Sequence, residues 1–456
     1  MVRDIHPVGK QVYFSNMFMT DDWLFFRADD EVHGAELWQS DGTTMGTFMT
    51  KDIYPGSRAS NPNVLGVFKG SVYFQGSAPG IGTELWGTDG NSEPQVVLDI
   101  NPGVNNSSPY GFAATDSYFY FRATKAGLGS ELWRSDGSST ETKIVIDIYP
   151  GNNSSYPGSL CALNNRVFFS AVQPDFGQEL WMHDEEKTTT TLVKDILEGP
   201  DGSRPRQIFS DGNLIYFIAD TPEGIGHLGF WRSDGTADGT FLLTALEYGQ
   251  FDGDDMNYSL QGGWLYFSAR TKTSGLELWR TNGTVEGTMI VKDIWPGEGD
   301  SAPSSLVLFM DKLYFAASHP DYGRELWETD GTEAGTRLAF DIKPGGRGSI
   351  PAELMVFEDT LYFAADDGSV GRELWRMRPG TGPTPTPTAT PTPTPTATPT
   401  PVVKADFYAT PTRTLVNRDV AFVDLSAGEP EQWLWDFGDM NQSATLNPVH
   451  AYDTPG

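Results

Sequence analysis

The sequence predicts an all-β protein dominated by an eight-bladed propeller of four-stranded blades. Two observations carry that prediction. A Trp, seven times preceded by Glu-Leu, recurs at Trp38, Trp86, Trp133, Trp181, Trp231, Trp279, Trp327 and Trp375, with spacings of 48, 47, 48, 50, 48, 48 and 48. Gly (50), Pro (31) and aromatics (12%) are abundant, which favours short strands joined by tight turns. A period near 48 residues is the signature of a repeat architecture.

Each unit reads as four strands. The clearest copy runs through Leu306-Val307-Leu308-Phe309, Leu313-Tyr314-Phe315-Ala316-Ala317, Glu325-Leu326-Trp327 and Arg337-Leu338-Ala339-Phe340-Asp341-Ile342. Short tips separate them, and the Asp330-Gly331 pair is a hairpin signal, because tight hairpin turns need positive φ. The apolar runs are continuous rather than alternating, as expected of sheets buried on both faces by neighbouring blades.

The two chain ends are complementary in register. Met1-Val2-Arg3-Asp4-Ile5 matches a fourth strand (compare Ile290-Val291-Lys292-Asp293-Ile294), and the eighth unit stops after Glu373-Leu374-Trp375. The expectation is a ring closed by the N-terminal strand completing the last blade, which removes an open edge.

Charge narrows the partners. Acidic residues number 61 against 31 basic ones, a net charge of −30, so nucleic acid and anionic lipid are excluded as electrostatic partners. No run of 18 apolar residues predicts membrane insertion. Cys161 is the one cysteine; its apolar neighbours Leu160, Ala162 and Leu163 mark it as a buried small hydrophobe. Met1-Val2-Arg3-Asp4 lacks the apolar core of a signal peptide, although both ends read as cut from a longer modular chain, expected to be a monomer.

The domain boundaries follow from composition: a propeller over 1–378, a Thr/Pro-rich linker over 379–401 that favours extended polyproline II, and a small C-terminal domain over 402–456. In that last segment Trp433-Leu434-Trp435-Asp436-Phe437-Gly438-Asp439, then Asn447-Pro448-Val449-His450-Ala451-Tyr452, resembles the polycystic-kidney-disease (PKD) repeat. The resemblance implies an immunoglobulin-like β-sandwich of the kind found outside cells, here partial and C-terminally truncated. Met440 stands where that family usually has Gly. The stretch from Glu325 through Thr336, with Asp341-Ile342-Lys343-Pro344-Gly345 after it, similarly resembles the ELWxxDGTxxGT repeat of bacterial extracellular proteins. Both resemblances imply an extracellular or cell-surface bacterial location.

Candidate site residues divide into repeated and unrepeated ones. Twenty of the 61 acids sit at repeat positions, among them the Glu before Leu-Trp and the Asp before the loop Ile, and recurrence argues for structure rather than catalysis. A carboxylate near a blade interface needs hydrogen-bond donors, most simply from a neighbouring loop. The repeat Trp residues read as core. The loop aromatics Tyr54, Tyr149 and Trp295, with Phe176 and Tyr322 from a second set of loops, are the ligand-contact candidates, against the plainer alternative of packing under the loop prolines. The unit between Trp231 and Trp279 breaks the pattern. Asp252, Asp254 and Asp255 there offer hard oxygen ligands for Ca²⁺, or form a solvated acidic loop, and the preceding loop holds Asp220, Glu223 and His227. His33, His227 and His319 fall on loops at one end of the barrel. No zinc spacing, phosphate-binding loop or nucleophile elbow is present.

The sequence thus leads to an expectation of a non-catalytic extracellular binding or adhesion protein whose propeller face meets a polysaccharide or a cell-surface protein, with no catalytic residue assigned. Two alternatives stand beside it: a secreted carbohydrate-active hydrolase or lyase, and a structural surface component.

Overall fold

The computed structural model describes residues 2–5, 15–247, 258–271, 273–379, 384–385, 407–410, 419–424, 435–437 and 441–451. These residues contain no helix, and the chain divides into two compact units, Met1–Thr386 and Pro387–Gly456. In the first unit the described strands form eight four-stranded sheets, each in simple sequential order. Blades are numbered here by their repeat Trp, from Trp38 (one) to Trp375 (eight).

Blade seven shows how a repeat folds. Ser304–Phe309, Lys312–His319, Gly323–Thr329 and Arg337–Phe340 pair antiparallel, with Phe315 opposite Trp327 and Trp327 opposite Leu338. The turn after Trp327 explains the DGTxxGT pattern. Asp330 Oδ1 accepts from the Thr332 amide (2.9 Å) and hydroxyl (2.7 Å), and Thr332 Oγ1 accepts from the Gly335 amide (3.0 Å). Thr336 Oγ1 donates to the Thr332 carbonyl (2.7 Å) and meets Thr329 Oγ1 at 2.6 Å. A β carbon on Gly335 would fall 2.0 Å from Asp330 Oδ1, so the last Gly of the pattern is fixed by close approach.

Both faces of a blade are buried because successive side chains alternate. In blade three, Phe119, Phe121, Ala123 and Trp133 join Tyr73 and Leu85 of blade two, while Tyr120 and Leu132 on the other face join Val167, Phe169 and Trp181 of blade four. The same exchange recurs from blade one to blade eight, and aromatic side chains of this size each remove roughly 150–250 Å² from water.

The ends depart from the expected closure. The last blade consists of Ala352–Phe357, Thr360–Asp366, Arg372–Met377 and Thr384–Pro385, so its fourth strand comes from the segment read as linker, with Pro385 opposite Trp375. A proline is tolerated there because an outermost strand needs no further ladder donors. Residues 2–5 lie instead on blade one: Thr44 Oγ1 donates to the Val2 carbonyl (2.6 Å) and the Arg3 guanidinium donates to the Thr47 carbonyl. Ile5 packs against Phe26, Ala28 and Trp38. Its register is that of a loop isoleucine such as Ile53, which seals Phe74 and Trp86 of the next blade. The outer face of blade eight is open: Phe357 is 63% exposed, against 4% for its counterpart Phe309.

In the second unit Phe407–Thr410, Asp419–Asp424 and Val449–Ala451 form one sheet, and Trp435–Asp436 pairs with Gln442–Ser443. Phe422 packs against Trp435 and Phe437, and Phe437 stacks on His450 with ring centroids 4.3 Å apart.

Candidate functional site

The hairpins between second and third strands and the loops leading into the next blade meet at one end of the first unit. A repeated carboxylate holds them together. Glu36, Glu84, Glu131, Glu179, Glu277 and Glu325 are fully buried at the start of their third strands. Glu325 accepts from the amides of Ile342 (3.2 Å), Lys343 (3.1 Å) and Ser349 (2.7 Å) and from the Ser349 hydroxyl (2.5 Å). Glu277 does the same with Ile294, Trp295 and Ser301, and Glu131 with Ile148 and Ser155. Each Glu therefore fastens one blade to the loop entering the next, which satisfies donors that would otherwise be buried unpaired.

Burial raises the pKa of each of these carboxyls despite their donors. Glu179 and Glu277 are pushed up to about 7, and Glu36, Glu84, Glu131 and Glu325 are also raised, in each case chiefly by desolvation.

The five loop aromatics do not stand free at this end. Tyr54 is half-buried, with Arg58 donating to its hydroxyl at 3.0 Å and lying over its ring. Trp295 is half-buried with its indole against Gly299, where a β carbon would come within 2.0 Å. Tyr149 and Phe176 are half-buried, and Tyr322 is 37% exposed and stacked on His319 at 4.8 Å.

Of the unrepeated acids of the fifth unit, the described ones, Asp220 and Glu223, differ sharply in burial. Asp220 is fully buried, bonded by the Arg204 guanidinium (Nε at 2.7 Å) and the Gly226 amide (3.0 Å). Glu223 and His227 are exposed, 3.6 Å apart. Asp252, Asp254 and Asp255, the proposed Ca²⁺ ligands, lie outside the described residues. Among the described residues no group of three or more His, Cys, Asp or Glu is arranged to hold a metal ion.

Sequence reasoning missed the pairing of loop histidines with carboxylates. His33 Nδ1 lies 2.7 Å from Asp30 Oδ2, and that hydrogen bond raises the imidazole above its usual range. His319 Nδ1 lies 3.9 Å from Asp321 Oδ2, but accepts from the Asp321 amide at 3.1 Å. The signal was present: each loop His has an acid within four residues in sequence.

Residues 396–456 match the PKD domain family. No curated protein matches the chain. Among solved structures, the chain is similar to a puromycin hydrolase (12% identity, TM-score 0.40, covering 77% of this chain and 58% of that one). It is also similar to a structure from a study of two prolyl endopeptidases (12%, 0.42, 91% and 55%). A puromycin-hydrolyzing peptidase of Mycobacterium tuberculosis is a third (14%, 0.39, 78% and 57%). The chain thus spans less than three-fifths of the length of each of these structures. These likenesses carry no residue role or substrate to this chain. All three are structures of hydrolases, against the expected non-catalytic binding or adhesion protein, and that expectation is not carried forward.

Proposed function

We propose that the first unit is a rigid scaffold within an extracellular multi-module protein, with its repeated carboxylates serving loop geometry rather than reaction. The observation that carries this reading is the set of fully buried glutamates, each bonded to the loop entering the next blade. An extracellular setting is supported by the PKD match, a module typical of proteins outside cells. Hydrogen exchange on the full chain tests the scaffold. The loop amides of Ser60, Ser107, Ser155, Ser203, Ser301 and Ser349, each donating to a buried Glu, should exchange as slowly as the central strands. Exchange as fast as in exposed loops would overturn it.

A second reading is hydrolytic, and one observation favours it: the Asp30–His33 pair is an imidazole oriented by a carboxylate, the arrangement that lets a histidine take a proton from water. Incubating the full chain with aminoacyl amides, peptidyl amides, esters and polysaccharides, and recording new amines, acids and sugar ends, separates the two. The scaffold reading expects no product. Turnover abolished by His33→Gln and Asp30→Asn would replace it with the hydrolytic one.

A further inference from the structure

At the opposite end from the glutamates, the turns between third and fourth strands touch from blade to blade through two side chains. One follows the repeat Trp; the other opens the second strand. In blade six these are Arg280 and Trp264, the guanidinium stacked 4.1 Å from the ring centroid. In blade three they are Arg134 and Tyr118, again stacked at 4.1 Å. In blade one, Gln39 Nε2 donates to the Gly90 carbonyl of blade two (2.8 Å), with Trp23 packed on the same glycine. In blade five, Arg232 donates to the Gly283 carbonyl of blade six (3.0 Å).

Blade two carries neither side chain. Gly87 follows Trp86, where the other seven units have Gln39, Arg134, Met182, Arg232, Arg280, Glu328 and Arg376. Ser71 stands where blades one, three and six have Trp23, Tyr118 and Trp264. What remains is a cleft between blades two and three, whose lining includes Ser71, Tyr73, Asp89, Glu93, Val97 and Gly137. The hydroxyl of Tyr73 faces Gly137 as that of Tyr266 faces Gly331: a β carbon on either glycine would meet the phenol oxygen at 2.2 Å. At Gly331 the Arg280 guanidinium also stands 3.2 Å from that position. At Gly137 no side chain from Gly87 exists to take its place.

We propose that this cleft binds a guanidinium group, supplied from outside, in the position that an internal arginine fills in blades three, five and six. The two acids lining the cleft favour a cation. Asp89 Oδ1 accepts from the Asn91 and Ser92 amides, and Glu93 lies 3.4 Å from the half-buried Lys51. The Gly137 carbonyl is the counterpart of the Gly283 carbonyl that Arg232 reaches. Val96 and Val97 offer apolar surface for an alkyl stem, as a planar cation on a short chain requires. This inference is independent of the scaffold reading.

A ligand-observed NMR titration of the full chain tests it, with N-acetyl-arginine amide as probe and its neutral isostere N-acetyl-citrulline amide as control. The expected result is saturable arginine binding, about ten-fold or more tighter than citrulline, weakened about ten-fold by Gly87→Arg and by Ser71→Trp, which restore the missing side chains. Gly87 has no positive φ, but its β carbon would sit 3.0 Å from the Tyr73 ring, so Ser71→Trp and Glu93→Gln serve as companions if Gly87→Arg folds poorly. Equal binding of citrulline, or unchanged binding in the cleft-filling variants, would overturn the assignment. A capped Gly-Gly-Arg-Gly-Gly peptide distinguishes the source. Binding as tight as the free amide supports a peptide-borne arginine, and ten-fold weaker binding supports a small free cation.

Discussion

The hydroxyl of Ser203 donates to Glu179 Oε2 at 2.5 Å across a blade boundary, and the Ser203 amide donates to Oε1 of the same carboxylate at 2.8 Å. One side chain thereby receives two donors from a residue 24 positions later in sequence. Removing the acceptor should hurt more than removing one donor. Glu179→Ala leaves the buried Ser203 amide and the half-buried Leu197 amide without their acceptor and should cost about 3 kcal/mol or more, whereas Ser203→Ala removes one charge-assisted bond and should cost about 1.5 kcal/mol. Urea unfolding of the full chain, followed by tryptophan fluorescence, reads both. Equal losses would show that the hydroxyl, not the carboxylate, organises the loop.

The raised carboxyls make a pH prediction with a definite sign. Glu179 and Glu277 titrate at about 7 in the folded chain, above the ordinary value of 4.5. The folded state therefore holds protons that the unfolded state has released. Their contribution is fully present below pH 4.5 and is lost as pH rises through 7. The lowered turn carboxyls, among them Asp41, Asp136, Asp234 and Asp330, contribute the opposite trend, present above 3.8 and lost as pH falls below it. The two windows separate, so the unfolding midpoint should be higher at pH 5 than at pH 7.5. Glu179→Gln with Glu277→Gln should flatten that difference. A pH dependence untouched by the double variant would locate its origin elsewhere.

The repeat made most of this legible. Periodic Trp, the Glu before it and the Asp-Gly turns placed the strands, and the sevenfold recurrence of that Glu argued for a structural role for Glu325 and its counterparts before any partner was known. The partners themselves lay in the next unit, at Ser349 and its equivalents, and spacing alone does not select them from other loop hydroxyls. The chain ends misled for a physical reason. Ile5 matches the loop isoleucines because it seals Trp38 as they seal the next blade, and that shared hydrophobic role does not require Val2–Ile5 to pair as a strand. The pair Gly87 and Ser71 was visible in an alignment of the units, but each is unremarkable alone; only the neighbouring arginine stacks give their smallness a meaning.

Hairpin glycines should divide sharply by what they face. Gly129 has φ of +71° and a β carbon there would lie 1.6 Å from the Asn153 carbonyl oxygen of the loop entering blade four. Gly127, two residues earlier in the same hairpin, has φ of +86° with nothing within 4 Å. Gly127→Ala should cost only the left-handed penalty, about 1–2 kcal/mol. Gly129→Ala adds backbone overlap that no rotamer relieves, and about 3 kcal/mol or more is expected in total. Comparable midpoints for the two variants would mean that the loop moves freely away from the hairpin, contrary to the fastening by Glu131.

Phe309 and Phe357 occupy the same place in blades seven and eight, yet one is 4% exposed and the other 63%. Phe309 belongs to a cluster with Leu361, Phe363 and Trp375 of the following blade, so Phe309→Ala opens a cavity and should cost about 3–5 kcal/mol. Phe357 has little packing to lose, and Phe357→Ala should change stability by about 0.5 kcal/mol or less. The comparison also measures closure. If blade eight packs on blade one in solution, Phe357 becomes a core residue and its truncation should approach that of Phe309. A small loss at Phe357 beside a large one at Phe309 would establish that the two end blades stay apart, with Ile5 rather than blade eight covering Phe26 and Trp38.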